Sequence, residues 1–304
     1  MATKKYISMN INYLVFICIF FTTLSASCQP SNDSTTKQYS ILERHFLPEK
    51  LVETSGLIEF NGKLWSFNDS GGKPEIYAYS LMSDSILQTI SLKNAINKDW
   101  EDIAQDDNYI YIGDFGNNLG ARDSLIIYKI SKLSIPAKGN AEILPEIITY
   151  RYPGYTATKF PLTFSAFDCE ALITFGDSLF VFTKDWTSGM STIYSIPKNP
   201  GNYIASRLTT FNALGLVTGA DVLGNKLVLI GYSNFMPFVW IFSIPQTIAA
   251  LTVKNGMRIE LTSLETYQTE GISIIDDYRV IISSEKTRSP AQVIKLSLKP
   301  TNAK

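Results

Sequence analysis

Apolar and polar positions alternate along this chain in short runs, and the runs repeat. Five windows of fourteen residues share one layout: Ser55 to Asn68, Glu101 to Asp114, Glu170 to Thr183, Thr218 to Gly231 and Glu270 to Ser283. Each opens on a polar residue, forms a short strand, reverses at a two-residue turn and continues as an apolar strand such as Leu64 to Phe67 or Leu227 to Ile230. The turns Asn61-Gly62, Asp107-Asn108, Gly176-Asp177, Gly224-Asn225 and Asp276-Asp277 use residue types that tolerate positive φ, as type I′ hairpins require. A third strand follows each hairpin: Ile76 to Tyr79, Leu125 to Ile130, Thr192 to Ile196, Phe238 to Phe242 and Gln292 to Leu296. A fourth follows in four cases: Ile86 to Leu92, Glu146 to Tyr152, Ser206 to Phe211 and Arg258 to Leu264.

The windows begin roughly 50 residues apart, which is the period of four-stranded propeller blades. The pattern predicts an all-β chain: a single β-propeller of five four-stranded blades over residues 39–299. The fifth repeat runs out of chain before a fourth strand. The stretch Tyr39 to Leu47 precedes the first repeat without a partner, so it is expected to complete the last blade and close the ring. Closure removes exposed sheet edges. The long interval between the second and third windows leaves a six-bladed alternative. Ser131 to Phe167 holds only one convincing strand, however, and reads as a long loop. A two-sheet sandwich leaves five like windows unexplained.

Residues 1–27 break the pattern. Lys4 and Lys5 precede the apolar run Leu14 to Phe21, which is too short to span a bilayer and reads as a signal peptide. Ser25-Ala26-Ser27 fits ordinary cleavage. Leu24 to Cys28 resembles a lipobox with its leucine one place early, and lipidation of Cys28 is the favoured reading. Residues 28–38 form a polar tether, and residues 300–304 a C-terminal tail. The expected location is therefore outside the cytoplasm, as a periplasmic protein or a cell-envelope lipoprotein of the outer membrane. Contact with the membrane would run through the lipid alone.

Composition narrows the chemistry. The 304 residues are 45% hydrophobic and 12% aromatic, with a formal net charge of -1. That charge gives no footprint for nucleic acid. His45 is the only histidine, so a multi-histidine zinc site is excluded and a Ser-His-Asp triad has one candidate base, at the domain's start. Cys169 has no histidine beside it in sequence and reads as a small buried apolar residue.

In a propeller the starts of the first strands and the ends of the second strands meet at one mouth of the central channel. That placement gathers Glu101, Glu170 and Glu270 with Asn68, Asp69, Asp114, Asn117, Arg122, Lys184, Asp185, Glu285 and Arg288. Tyr155 lies on the long connection expected to hang over the same mouth. Glu101, Glu170 and Glu270 are the candidate catalytic acids or bases. With Asp114 they are also the candidate ligands of a hard cation such as calcium. The alternative is that each Glu accepts hydrogen bonds from the next blade and only knits the ring. The basic residues suit an anionic ligand or a solvated rim paired with the acids.

Trp100-Glu101-Asp102-Ile103-Ala104, Gly113-Asp114, Glu170-Ala171-Leu172, Thr183-Lys184, Thr218-Gly219-Ala220-Asp221 and Asn68-Asp69-Ser70-Gly71 together resemble a family of uncharacterised secreted bacterial β-propellers. The repeated Glu-small-aliphatic start is more loosely similar to SdiA-regulated, phytase-like and lactonase-like propellers. That resemblance implies the fold and, for some relatives, calcium at the channel mouth. Ser55 and Thr218 stand at two positions of the possible acidic ring.

Three functions follow. The first is a monomeric module that binds a glycan, a peptide or a small anion at the mouth. The second is a calcium-assisted hydrolase of a phosphoester, lactone or glycoside. The third is a scaffold that uses its rim for protein contacts.

Overall fold

The computed structural model describes residues 38–159 and 164–299. The expected signal peptide, Cys28 and nearly all of the expected tether lie outside the described residues, as does the expected C-terminal tail. Among the described residues, helix is confined to three-residue 3-10 turns, and no helix is long and apolar enough to cross a membrane.

Five sheets form the ring. From the axis outward, blade one is Ile58–Phe60, Lys63–Ser66, Glu75–Ser80 and Ser85–Leu92. Blade two is Trp100–Gln105, Tyr109–Asp114, Leu125–Ser131 and Glu146–Arg151. Blade three is Asp168–Phe175, Ser178–Lys184, Met190–Pro197 and Ser206–Asn212. Blade four is Leu216–Leu223, Lys226–Ser233, Met236–Ser243 and Gly256–Glu260. Blade five is Thr269–Ile274, Arg279–Ser284, Gln292–Leu298 and, as its outermost strand, Tyr39–Phe46. The N-terminal strand thus closes the ring, antiparallel to Gln292–Leu298.

Five apolar clusters fill the five gaps between neighbouring blades. Alternation of side chains explains this. Ile110 and Ile112 face blade one, while Tyr111 between them faces blade three. Strands covered on both faces read as continuous apolar runs, which is how the second strands appeared in sequence.

Four local expectations change. Blade four's outer strand ends at Glu260, because Thr262–Leu264 turns into a 3-10 segment. The connection after blade two's third strand swings back, and Ala141–Ile143 adds in parallel to the outer edge of blade one. Gly201–Ile204 does the same to blade two. The turns also differ. Asn61 and Gly62 both take positive φ, 52° and 66°. Asp107-Asn108 and Asp276-Asp277 do not. There the Asp106 carboxylate accepts the N–H groups of Asn108 and Tyr109, and the Asp276 carboxylate those of Tyr278 and Arg279. A side chain closing its own turn removes the need for left-handed backbone.

Candidate functional site at the channel mouth

Each inner strand of blades two to five breaks register near its start. The shifts fall between Trp100 and Asp102, Cys169 and Ala171, Val217 and Gly219, and Thr269 and Ile272. The residue in each bulge is Glu101, Glu170, Thr218 or, in blade five, Glu270 with Gly271. A bulge lifts its extra residue out of the ladder and re-aims the side chain. The repeated strand-opening residues are therefore turned towards the mouth.

Knitting falls to residues other than these glutamates. Asp102 Oδ2 accepts the backbone N–H of Leu172 at 2.7 Å and of Ala220 at 3.2 Å, joining blade two to blades three and four. Asp221 joins blade four to Ile274 of blade five in the same way, at 2.7 Å. Ser55 Oγ donates to the Glu101 carbonyl, Thr218 Oγ1 to that of Thr269, and Ser283 Oγ to that of Ser55. Inner-edge N–H groups face the axis without a further strand, and these side chains satisfy them or their carbonyl counterparts.

Two triads of carboxylates form at the mouth. Asp69, Asp99 and Glu101 bring one oxygen each within 4.8 Å of one another, and so do Glu101, Asp168 and Glu170. Glu101 belongs to both and is 7% exposed. Among the described residues, no side-chain or backbone group donates a hydrogen bond to its carboxylate. Asp69 Oδ1 is buried without a partner among the described residues. The approach depends on Gly116: a Cβ there would lie 2.2 Å from Glu101 Oε1 and 2.3 Å from Asp99 Oδ2. Asn97 holds the adjacent loop, donating to the carbonyls of Asn68 at 2.8 Å and Asp69 at 2.6 Å.

Crowding shows in the electrostatics. Burial, then the charges of Asp69 and Asp168, push Asp99 up to about 7. Burial raises Asp69 to about 6 and Glu270 to about 7. Burial, reinforced by Glu270, takes Glu285 to about 8. Glu101 is pushed well above the carboxylate range by burial and by Glu170. Like charges held close in a dry site favour either protons or a cation.

The other predicted residues have partners. Arg122 pairs with Asp114 at 2.8 Å and donates to the carbonyls of Asp114 and Gly116. Asp114 is thus turned to a guanidinium and lies outside both triads. Asn117 Oδ1 accepts the Arg122 N–H, and its Nδ2 donates to Tyr155 Oη at 3.3 Å. These four residues build the loop that carries Gly116. Asn68 pins the segment before blade one through Lys50 and Glu53. Asp185 closes a turn through Thr187 and Ser188. Lys184 Nζ lies 2.5 Å from Glu170 Oε2. The sequence sets Asp99 at the mouth just before Glu101 without marking it as a ligand, and Asp168, two residues from Glu170, was missed.

Two clefts flank the tip of blade four's second hairpin. One, of about 350 Å³, is lined by Tyr232, Phe235, Tyr267, Gln268 and Arg288 among others. The other, of about 770 Å³, includes Trp186, Asn212, Tyr232 and Asn234. Phe164 stacks on Trp186 with centroids 5.1 Å apart. Arg288 thus lines the first cleft rather than a triad.

No protein-family model matches the chain, and no curated protein matches it in sequence. Solved structures match in fold. Glutaminyl cyclase of Myxococcus xanthus aligns with a TM-score of 0.53 at 13% identity, over 86% of this chain and 97% of that one. The PQQ-bound aldose sugar dehydrogenase of Streptomyces coelicolor aligns at 0.49 and 9% identity, over 85% and 97%. The soluble aldose sugar dehydrogenase of Escherichia coli aligns at 0.44 and 10% identity, over 84% and 99%. The likeness to the glutaminyl cyclase is one of fold, and the five-sheet ring makes this chain a β-propeller.

Proposed function

We propose that the channel mouth holds one divalent cation between Asp69, Asp99 and Glu101, and uses it to bind a polar ligand presented from the rim. The observation that carries this reading is the Glu101 carboxylate, 7% exposed and without a hydrogen-bond donor among the described residues. A buried charge in that state is expensive, and a cation offsets the cost. An all-oxygen donor set points to calcium, which takes about six to eight oxygens. Three carboxylates leave coordination positions for the oxygens of a glycan, a peptide or a small anion. The clefts around Tyr232 and Trp186 would receive the body of the ligand. In this account the chain is exported and tethered by a lipid on Cys28.

A second reading, hydrolysis of a phosphoester, lactone or glycoside, is favoured by Glu270. Its carboxylate stands at the same mouth with its pKa at about 7, where a general base works well.

The test is a melting curve of the chelator-stripped full chain. Calcium at about 100 times its Kd should stabilise the fold by about 2.7 kcal/mol. Identical curves with chelator and with excess calcium would remove the proposal.

A further inference from the structure

The two triads share Glu101 but differ in what neutralises them. Among the described residues, no ammonium or guanidinium lies within ion-pair distance of Asp69, Asp99 or Glu101. The second triad already has a cation: Lys184 Nζ sits 2.5 Å from Glu170 Oε2.

We propose that Lys184 is a built-in counter-ion to Glu170, beside the place a second metal ion would take, so that the mouth takes one divalent cation instead of two. This rests on the cation reading above and specifies its stoichiometry.

Three observations support it. First, the lysine is fixed. It is 4% exposed, and its Nζ lies 4.5 Å from the centroid of the Trp186 ring and 5.3 Å from that of Tyr232. Second, it is paired: its Nζ lies 2.5 Å from Glu170 Oε2, and both side chains are buried. Third, the carboxylate it leaves free is held by donors other than the lysine. Asp168 accepts the Asn117 N–H and the Trp186 Nε1–H, each at 2.7 Å. Removing the lysine charge leaves these two donors to Asp168 in place.

The consequence is chemical. Paired metal ions bridged by a carboxylate are the arrangement that clamps both the attacking and the leaving oxygen of a phosphoryl transfer. An ammonium bound to Glu170 carries one charge, offers no open coordination position and cannot activate water as a metal does. Lys184 thus restricts the mouth to single-ion recognition of its ligand.

The experiment counts calcium bound to the chelator-stripped full chain by equilibrium dialysis with metal analysis. The wild type should hold one ion. Lys184→Met should hold two, and Lys184→Met combined with Glu170→Gln should return to one. Two ions in the wild type, or one in Lys184→Met, would overturn the inference while leaving the first cation in place. No ion in either protein would overturn both readings. If Lys184→Met does not fold, Glu170→Gln alone decides. It should keep one ion with affinity lowered by no more than about tenfold, the scale of one nearby charge. Loss of the ion would place it in the second triad and refute the proposal.

Discussion

The carboxylate of Asp102 accepts the backbone N–H of Leu172 at 2.7 Å, a bond from the inner strand of one blade to the inner strand of the next. The same oxygen reaches Ala220 of a third blade at 3.2 Å, and the side chain is fully buried. Asp102→Ala would orphan these inner-edge N–H groups where no water replaces the acceptor. It should cost about 3 kcal/mol or more, measured by chemical denaturation. Asp102→Asn keeps one acceptor oxygen and should cost less. An alanine variant as stable as the wild type would mean that Asp102 does not tie the blades.

Glu101 should behave in the opposite way. It shares its surroundings with Asp69, Asp99, Asp168 and Glu170, and all four charges oppose its ionisation or are opposed by it. Glu101→Gln should therefore raise the melting temperature in chelator and abolish the rise caused by calcium. Stability given up at a site for the sake of function is the expected trade. A glutamine variant that still gains stability from calcium would place the ion elsewhere.

Gly116 tests geometry without altering charge. Its backbone is approached by both Glu101 and Asp99, and an added methyl would overlap their oxygens. Gly116→Ala should weaken calcium binding at least tenfold, read by titration calorimetry, with the blades still folded by circular dichroism. Unchanged affinity would show that the two carboxylates can part without losing the ion.

The pH dependence has a definite sign. Asp69, Asp99, Glu270 and Glu285 have native pKa values of about 6, 7, 7 and 8, all above the usual carboxylate range. Raised carboxyl pKa values mean that the fold prefers the protonated forms. In chelator, the stability they contribute is present at low pH and is lost as pH rises through about 6 to 8. Calcium needs the ionised forms, so its stabilising effect should grow over the same window. Melting curves at about pH 5 and about pH 8.5, with and without calcium, check both signs. A calcium effect that shrinks as pH rises would contradict the assignment.

Much of this was legible in the sequence, for physical reasons. Five hairpins were visible because strands such as Leu227 to Ile230 are covered on both faces and carry continuous apolar runs. The closing strand showed because Tyr39 to Leu47 had no partner of its own. Ala141–Ile143 and Gly201–Ile204 stayed hidden, since three or four half-exposed residues at a parallel edge carry little hydrophobic signal. At the mouth, two of the three repeated Glu positions, Glu101 and Glu170, fall in the carboxylate triads. The division of labour between Glu101 and Asp102 was not legible. A bulge between Trp100 and Asp102 sets it, and strict two-residue alternation has no place for the extra residue.

The central claim is a cation bound by Asp69, Asp99 and Glu101. The most direct measurement is a crystal structure of the full chain grown with manganese as an anomalous stand-in for calcium. The account predicts one anomalous peak with oxygens of these three carboxylates as ligands, at about 2.1–2.6 Å. A mouth without a peak, or a peak whose ligands exclude Glu101, would contradict it.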